Sequence, residues 1–235
     1  MTQEPSRTVG RAKLSRGVVL QAALRVLDEE GLDALTMRRL GQELDRDPMA
    51  LYRYATNRAE LLDGVVELVL AELVIRADVP DWQLQLRRTA HEFRQLALAH
   101  PNVVPLIVTR PLATPLALRP LGTLRPLEQM LELLVGAGYT PVRALHIYRS
   151  YWGLLHGHIL NELQELVVDP EETDALLRLG LHRLPNKEFP RLRGLAKALL
   201  AGYDGAAALD ESLDLLLGGL RAAAPAPTRA ARRRA

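Results

Sequence analysis

The feature of this chain that most constrains its fold is a series of helix-start and helix-stop signals between residues 14 and 62. Ser15 can accept a hydrogen bond from a first-turn amide, and Gly31 is suited to end the helix that follows. Between them, apolar residues recur at three- and four-residue steps, which predicts one buried helical stripe. The stripe consists of Val19, Ala23, Val26 and Leu27. The segment must therefore fold as several short helices.

Two more short helices are predicted downstream from their caps. Thr36 can cap a second helix of about two turns. Asp47 suits a cap position and Pro48 a first helical position, so we expect a third helix from Pro48 to Tyr54. Two short helices joined by so tight a turn form a helix-turn-helix, whose second helix lies in the major groove of DNA.

The third helix is predicted to turn an unusual set of side chains outward. Leu51 and Ala55 would face inward, which leaves Met49, Ala50, Tyr52 and Tyr54 outside. These side chains suit contact with thymine methyl groups, sugars and phosphates better than they suit a solvated surface. The alternative for Tyr52 is a core aromatic. Beyond this helix, Asn57 and Glu60 have capping-box spacing, which predicts the start of a long fourth helix.

These segments resemble the N-terminal domain of the tetracycline-repressor (TetR) family. The resemblance is carried by Leu35–Leu40, Leu51–Tyr54 and Asn57–Leu62. The chain departs from the family pattern at Asp45, which is usually Gly, and at Arg46, which is usually apolar. Residue-by-residue matching implies phosphate or base contacts at Thr36, Met37, Arg38, Pro48, Met49, Ala50, Tyr52, Tyr54 and Arg58. For Arg38 the alternative is one end of a solvated helix face.

Charge and the two chain ends bear on DNA binding in a different way. The formal net charge is only +2, so affinity for phosphates must depend on where the cations lie. The basic arm, residues 1–13, either follows the DNA backbone or minor groove or is an untethered solubilising tail. The basic tail, residues 222–235, is predicted to be disordered without a specific role.

Several classes of function are disfavoured by what the sequence lacks. The chain has no cysteine, no Gly-rich phosphate loop and no recognisable pair of catalytic carboxylates, so we expect no enzyme, no catalytic residue and no cofactor. His158 and Glu162 share a helical face, but one such pair without a third ligand predicts no metal site. Without a long apolar run or a signal peptide, the protein is expected to be cytoplasmic.

The apolar spacing stays helical from Leu61 onward, and prolines interrupt it between residues 101 and 126. We therefore expect an all-α protein. The family resemblance implies that it divides into a homeodomain-like three-helix domain at 14–62 and a ligand-binding and dimerisation domain at 63–221. The predicted later helices end near Ala77 and then cover about Asp81–Ala99, Arg125–Ala137, Pro141–Leu166, one segment starting at Asp169, Phe189–Leu200 and Asp204–Leu220.

Four short segments of the second domain resemble the ligand-binding domain of the tetracycline-repressor subgroup. They are Thr109–Pro111, Ala137–Thr140, Phe189–Pro190 and Ser212–Leu220. The resemblance implies a homodimer that pairs through helices 141–166 and 204–220. The last helix has a wide apolar stripe, more than packing against its own domain would need, which supports the dimer. The stripe consists of Leu209, Leu213, Leu216, Leu217 and Leu220. A two-fold dimer would set its reading helices about 34 to 36 Å apart on a palindromic site.

The same resemblance implies a mostly apolar effector pocket. The matching positions are Val74, Thr89, Phe93, Leu106, Arg110, Tyr148 and Asn161, with Trp152 nearby. The alternative for the aromatic residues among them is an ordinary core. Tetracycline itself is not expected, because the His and Glu that bind its magnesium chelate in that subgroup are replaced here by Leu106 and Asn161.

We therefore expect a homodimeric transcriptional regulator, a repressor that a small apolar effector releases from a palindromic operator. The alternatives are a constitutive DNA-binding dimer without an effector, an activator, and an α-helical small-molecule carrier or enzyme.

Overall fold

The computed structural model describes residues 13–113, 115–166, 184–195 and 204–222. These residues form helices and connecting turns without a strand, so the all-α expectation is confirmed for them. In chain order the helices are α1 (Arg16–Glu30), α2 (Met37–Leu44), α3 (Pro48–Leu51), α4 (Arg58–Leu70), α5 (Trp82–Ala99), α6 (Val104–Ala113), α7 (Leu121–Gly136), α8 (Pro141–Leu166), α9 (Pro190–Gly194) and α10 (Gly205–Ala222), with a 3₁₀ turn at Leu116–Leu118.

The first four helices begin at the caps that the sequence predicts. Each cap side chain accepts a hydrogen bond of 2.8 to 3.3 Å from a first-turn amide, which satisfies a donor that the helix itself leaves unpaired. The caps are Ser15, Thr36, Asp47 and Asn57. One detail differs, because Glu60 accepts from the amide of Thr56 at 2.8 Å, one residue before the cap. These starts are local, and local sequence predicted them.

The small core beneath these helices follows the predicted stripe. Val19, Ala23, Val26 and Leu27 are fully buried, as are Leu40 of α2, Leu51 of α3 and Ala55 just after the turn that follows α3. The helix-turn-helix is thus held by side chains from all three of its helices.

Two helices end earlier in the structure than the sequence predicted. Helix α3 stops at Leu51 and continues as a turn, in which the amide of Tyr54 donates to the carbonyl of Leu51 at 2.8 Å. Helix α4 stops at Leu70, seven residues before Ala77. The reason is burial, because Leu73 and Ile75 are buried while the residues between and beside them are exposed. That two-residue alternation belongs to an extended chain, not a helix.

In the second half the predicted bounds of α5, α8 and α10 agree with the structure to within two residues. Helix α7 starts at Leu121 instead of Arg125 and carries Pro126 inside it. Its first turn is supported from outside, because the amide of Gly122 donates to Glu67 Oε1 at 3.0 Å. Helix α9 covers only part of the predicted Phe189–Leu200 helix, whose last residues lie outside the described part, as does the segment starting at Asp169.

The leucine stripe of α10 packs within its own subunit. Leu209, Leu213, Leu217 and Leu220 are buried, and Leu216 is partly buried. The interpretation that this stripe exceeds what its own domain requires is therefore wrong. The leucine of α10 that faces solvent is Leu215, which is 82% exposed.

Asp45 ends α2 in the left-handed region, with φ 50° and ψ 53°. Most L residues are strained there by about 1 to 2 kcal/mol, Asp by less, and Gly adopts the region without this strain. We therefore expect Asp45→Gly to raise the free energy of unfolding by up to about 1 kcal/mol, measured by urea denaturation. Asp45→Ala keeps the strain and serves as the control. Equal stability of the two variants would contradict the explanation.

Candidate nucleic-acid interface and effector region

The turn between α2 and α3 is tight because backbone and side chains approach closely there. The amide of Arg46 donates to the carbonyl of Gly41 at 2.9 Å. A Cβ on Gly41 would lie 2.8 Å from the carbonyl oxygen of Arg46 and 3.1 Å from Pro48. The absence of a side chain at Gly41 therefore lets the start of α3 lie against α2.

Most of the predicted DNA contacts lie on the accessible side of α2 and α3. Met49 is 72% exposed and Tyr52 is 42% exposed, although both are large and apolar or aromatic. Thr36 and Arg38 are also exposed, while Pro48 and Ala50 are intermediate. Met37 is the exception, because it is partly buried and packs on the core.

Two neighbouring arginines on α2 have different environments. Arg39 binds Glu30 at 2.5 Å and Glu43 at 3.1 Å, and its guanidinium lowers the pKa of Glu30. Arg38 is exposed and forms no ion pair with any residue that the structure describes. The guanidinium of Arg38 is therefore available for a phosphate or a base edge, whereas that of Arg39 holds α2 against α1.

Tyr54 and Arg58 have structural partners that the sequence did not reveal. Tyr54 is half-buried, and its hydroxyl donates to the carbonyl of Leu14 at 2.9 Å, so the prediction that it faces outward is wrong. Arg58 donates to the carbonyls of Leu35 at 3.1 Å and Leu32 at 2.7 Å. Both side chains join segments far apart in sequence, so no local spacing could have indicated these bonds. Their contact with DNA stays a prediction.

Sequence reasoning also passed over Arg53. This residue follows Tyr52 in the turn after α3, is exposed, and has no ion-pair partner among the described residues. A cation beside the reading helix is suited to a phosphate. Its position in the segment that follows Pro48 is the sequence signal that could have indicated a DNA contact.

Three of the predicted effector residues meet in one aromatic cluster. Phe93 on α5 packs edge to face on Trp152 of α8, with ring centroids 5.0 Å apart, and Tyr148 lies 6.2 Å from Trp152. Thr89 and Leu106 are buried as well. Val74 and Asn161 are exposed, and no described contact joins either side chain to this cluster. Burial raises the pKa of Tyr148, so its hydroxyl stays protonated at neutral pH.

Arg110 connects α6 with α4. Its Nε donates to Asp63 Oδ1 at 2.5 Å, and its Nη2 donates to the carbonyl of Ala59 at 2.9 Å. Asp63 and Ala59 both lie in the helix that follows the helix-turn-helix. The structure thus gives Arg110 a place between the two domains, in addition to the lining role that the resemblance implies.

A buried ion pair joins α5, α8 and the start of α10. Arg94 binds Glu162 through two contacts, of 2.9 and 2.5 Å. His158 lies 3.6 Å from Glu162 and 2.9 Å from the carbonyl oxygen of Gly205. The predicted local pairing of His158 and Glu162 is therefore part of a larger network. Within the described ranges no group of three His, Cys, Asp or Glu side chains is placed to hold a metal ion.

Taken together, a capped helix-turn-helix with an exposed aromatic and basic face, joined to a helical domain, defines a DNA-binding transcriptional regulator. In the described part of the chain, no helix has both the length and the apolar character needed to span a membrane.

Comparison with known proteins agrees with this class. Residues 19–65 match the family described as bacterial regulatory proteins, tetR family, and residues 86–184 match the tetracyclin repressor-like C-terminal domain. The chain belongs to the TetR family of transcriptional regulators. This is a family of regulators and not of enzymes.

Relatives and solved structures extend the similarity over most of the chain. The tetracycline repressor protein class A from transposon 1721 of Escherichia coli is 31% identical over 88% of this chain and 91% of its own length. The transcriptional repressor DrrR1 of Streptomyces coeruleorubidus is 33% identical, over 52% of this chain and 49% of that repressor. The Streptomyces coelicolor protein ActR, in complex with actinorhodin, superposes with a TM-score of 0.75 at 28% identity, over 91% of this chain and 98% of ActR.

Proposed function

We propose that this protein is a homodimeric repressor that a small, mostly apolar effector releases from a palindromic operator in the cytoplasm, where the DNA lies. The observation that carries the proposal is the exposed face formed by Arg38, Met49 and Tyr52 on a capped helix-turn-helix. Exposed large apolar side chains beside a cation without an ion pair suit a DNA groove better than solvent. Several relatives are repressors, which supports repression over activation.

A dimer is supported by the outer faces of α8 and α10 instead of by the buried leucines. Exposed residues recur at helical spacing on α8, at His146, Ser150, Gly153, Gly157 and Leu160. On α10 they include Glu211, Leu215, Gly218 and Gly219. Nothing lies within 4 Å of a Cβ built on any of these four glycines. Two subunits could bring these faces into close contact about a two-fold axis.

Two sets of contacts support a route from the effector region to the DNA-reading domain. One is the Arg110 link from α6 to Asp63 and Ala59 of α4. The other lies between α5 and α6, where the ring of His100 is 2.8 Å from Asp28 and Asn102 donates to the carbonyl of Leu27 at 2.8 Å. An effector that moves α6 would therefore move α1 and α4. It changes the spacing of the two reading helices only if it binds one arrangement more tightly.

The effector need not be a metal chelate. Leu106 offers no metal ligand, and the amide of the exposed Asn161 is a weaker ligand for a divalent cation than a carboxylate. Solved relatives bind organic ligands, including actinorhodin in ActR. We extend from them only the general expectation of an organic effector.

Arg110→Met is expected to separate effector binding from operator release. The variant loses the ion pair with Asp63 and the bond to Ala59, so α6 can move without moving α4. We expect about 5- to 150-fold more effector to be needed for release in a DNA mobility-shift assay, because allosteric coupling is typically about 1 to 3 kcal/mol. Arg88→Met, an exposed change on α5, is the control. Release at the wild-type effector concentration would exclude this route.

A further inference from the structure

The backbone just before α1 is fixed to the turn that follows the reading helix. The carbonyl of Leu14 accepts a hydrogen bond of 2.9 Å from the hydroxyl of Tyr54. The side chain of Leu14 is partly buried and packs against the core. Ser15, the next residue, caps α1 by accepting from the amide of Val18 at 3.3 Å. Leu14 is therefore held by its backbone and by its side chain before the first turn of α1 begins.

Tyr54 belongs to the same turn as exposed residues that we assign to DNA contact. Tyr52 and Arg53 directly precede it, and both are exposed. The amide of Tyr54 donates to the carbonyl of Leu51, the last residue of α3, so the backbone at Tyr54 is fixed as well. Leu14 thus lies within the length of one tyrosine side chain of the end of the reading helix. The chain that precedes Leu14 must join the domain at this point.

The segment that joins the domain there, the basic arm of residues 1–13, carries a positive charge. Its cations are Arg7, Arg11 and Lys13, and its one acidic residue is Glu4. Lys13 is exposed and forms no ion pair with any residue that the structure describes. A segment with this charge beside the reading helix is attracted to the phosphates of DNA.

A nearby carboxylate at the start of α1 is already bound by other groups. Glu67 Oε2 lies 3.4 Å from Arg16 Nη2, and Glu67 Oε1 accepts from the amide of Gly122 at 3.0 Å. Arg16 follows the arm by only three residues. The domain thus uses this carboxylate to hold α1, α4 and α7 together, which favours DNA as the counterion of the arm.

The length and the side chains of the arm suit the groove next to the one that α3 enters. A fully extended chain spans at most about 3.3 to 3.6 Å per residue, so Arg7 can reach up to about 25 Å from Leu14. The reading helix occupies the major groove, and the minor groove is only about 6 Å wide. The residues between the cations are slim enough for it, namely Thr8, Val9, Gly10 and Ala12. Arginine and lysine bind best where A·T-rich sequence narrows this groove.

We propose that residues 1–13 are a DNA-binding arm that lies in the minor groove of A·T-rich DNA, next to the half-site that α3 contacts. Tyr54 is a positioning residue for this arm, because its bond to Leu14 fixes where the arm leaves the domain. The inference rests on the proposed function, since it adds a second groove to the operator contacts. It also replaces the untethered tail, the alternative that composition leaves open.

The test compares two operators that differ only in the base pairs flanking the half-sites, which are A·T-rich in one and G·C-rich in the other. The arm variant combines Arg7→Gln, Arg11→Gln and Lys13→Gln. The matched control combines Arg232→Gln, Arg233→Gln and Arg234→Gln, which removes the same charge from the tail. We expect the wild-type protein to bind the A·T-flanked operator about tenfold more tightly, the effect of one favourable base pair at such a site. The control should keep this preference, and the arm variant should lose it.

Tyr54→Phe tests the positioning role, because it removes the hydroxyl and keeps the ring. The variant should reduce the preference for A·T-rich flanks when the arm is intact. In the arm variant it should have no further effect on that preference, because both changes act through the same contact. If Tyr54 served only folding or a direct DNA contact, Tyr54→Phe would weaken binding to both operators equally, with or without the arm cations. That result would exclude the positioning role.

Equal affinity of the wild-type protein for the two operators would overturn the proposal, as would a preference that the arm variant retains. An arm variant that loses the same affinity on both operators would overturn the minor-groove assignment, because contacts to the phosphate backbone do not depend on flanking sequence. Anisotropy titrations at fixed salt measure all of these affinities. Urea denaturation should give the arm variant the stability of its control, which separates DNA contacts from folding.

The same variants distinguish this inference from the proposed function. A dimer that binds a palindromic operator whatever its flanks would support the proposed function and contradict the arm. If selection enriches no palindrome, the comparison uses A·T-rich and G·C-rich duplexes of equal length. A preference for the A·T-rich duplex that disappears in the arm variant would then support the arm, although the proposed operator-binding dimer had failed.

Discussion

Arg38→Ala is expected to weaken operator binding about ten- to hundredfold, because a bidentate contact from arginine to a base is worth about 1 to 3 kcal/mol. The structure supports this role, since Arg38 is exposed beside Met49 and Tyr52 and forms no ion pair with the described residues. Fluorescence anisotropy with a labelled operator at fixed salt measures the effect. If Arg38 instead contacts a phosphate, the loss will be similar for all sequences and the salt dependence will become shallower.

Two other arginines provide controls for this experiment. Arg88→Ala removes an exposed cation from α5, outside the helix-turn-helix, and should leave operator affinity within about twofold. Arg39→Ala should lower the stability of the domain, because Arg39 bonds to Glu30 and Glu43. If Arg38→Ala and Arg88→Ala bind the operator equally tightly, Arg38 is not part of the DNA-reading surface. Size-exclusion chromatography should show an unchanged oligomeric state, because Arg38 lies far along the chain from α8 and α10.

Arg94→Met should lower the free energy of unfolding by about 3 to 5 kcal/mol, the cost of leaving a buried charge without its partner. Glu162 is only 5% exposed, and both of its carboxylate oxygens bind Arg94. The remaining neighbour, His158, is 3.6 Å away and is already close to the carbonyl oxygen of Gly205. Urea denaturation followed by circular dichroism measures the change.

The control for Arg94 is an ion pair of similar chemistry at the surface. Arg25 is about half exposed and lies 3.5 Å from Glu43, so Arg25→Met should cost less than about 1 kcal/mol. Adding Glu162→Gln to Arg94→Met removes the buried charge and should recover part of the loss. A cost for Arg94→Met as small as that for Arg25→Met would show that water reaches Glu162.

The beginnings of helices could be predicted from the sequence because their determinants are local. Ser15, Thr36, Asp47 and Asn57 each bond to an amide two or three residues ahead, so residue type and spacing were sufficient. The inward faces of the first three helices followed for the same reason.

Ends of helices and side-chain partners depended on distant parts of the chain. Helix α4 ends early because Leu73 and Ile75 enter the core from an extended segment. The hydroxyl of Tyr54 donates to a carbonyl 40 residues away in the sequence. Arg110 donates to Asp63, which is 47 residues away in the sequence. Spacing within one helix carries no information about such contacts. For the same reason, the sequence predicted that the leucines of α10 form a dimer interface. In the structure they pack in the core of their own domain.

In the candidate site, too, local features could be predicted from the sequence and distant contacts could not. Family resemblance and local pattern placed Arg38, Met49 and Tyr52 on an exposed face, as the structure has them. In the second domain, residue type alone could not distinguish Tyr151, whose hydroxyl is satisfied, from Trp152, whose indole nitrogen is not. Only the three-dimensional arrangement shows which buried aromatic side chain has an acceptor for its hydrogen-bond donor.

The most direct test of the account is selection of bound duplexes from a random DNA pool by the purified full chain. We expect a palindromic motif whose half-sites are centred about one helical turn apart, about 34 to 36 Å, or a small multiple of it. Binding to the best site should weaken steeply with salt, because cations on the protein replace counterions of the phosphates. Failure to enrich any motif at moderate salt, or enrichment of a single asymmetric half-site bound by a monomer, would contradict the proposed operator-binding dimer.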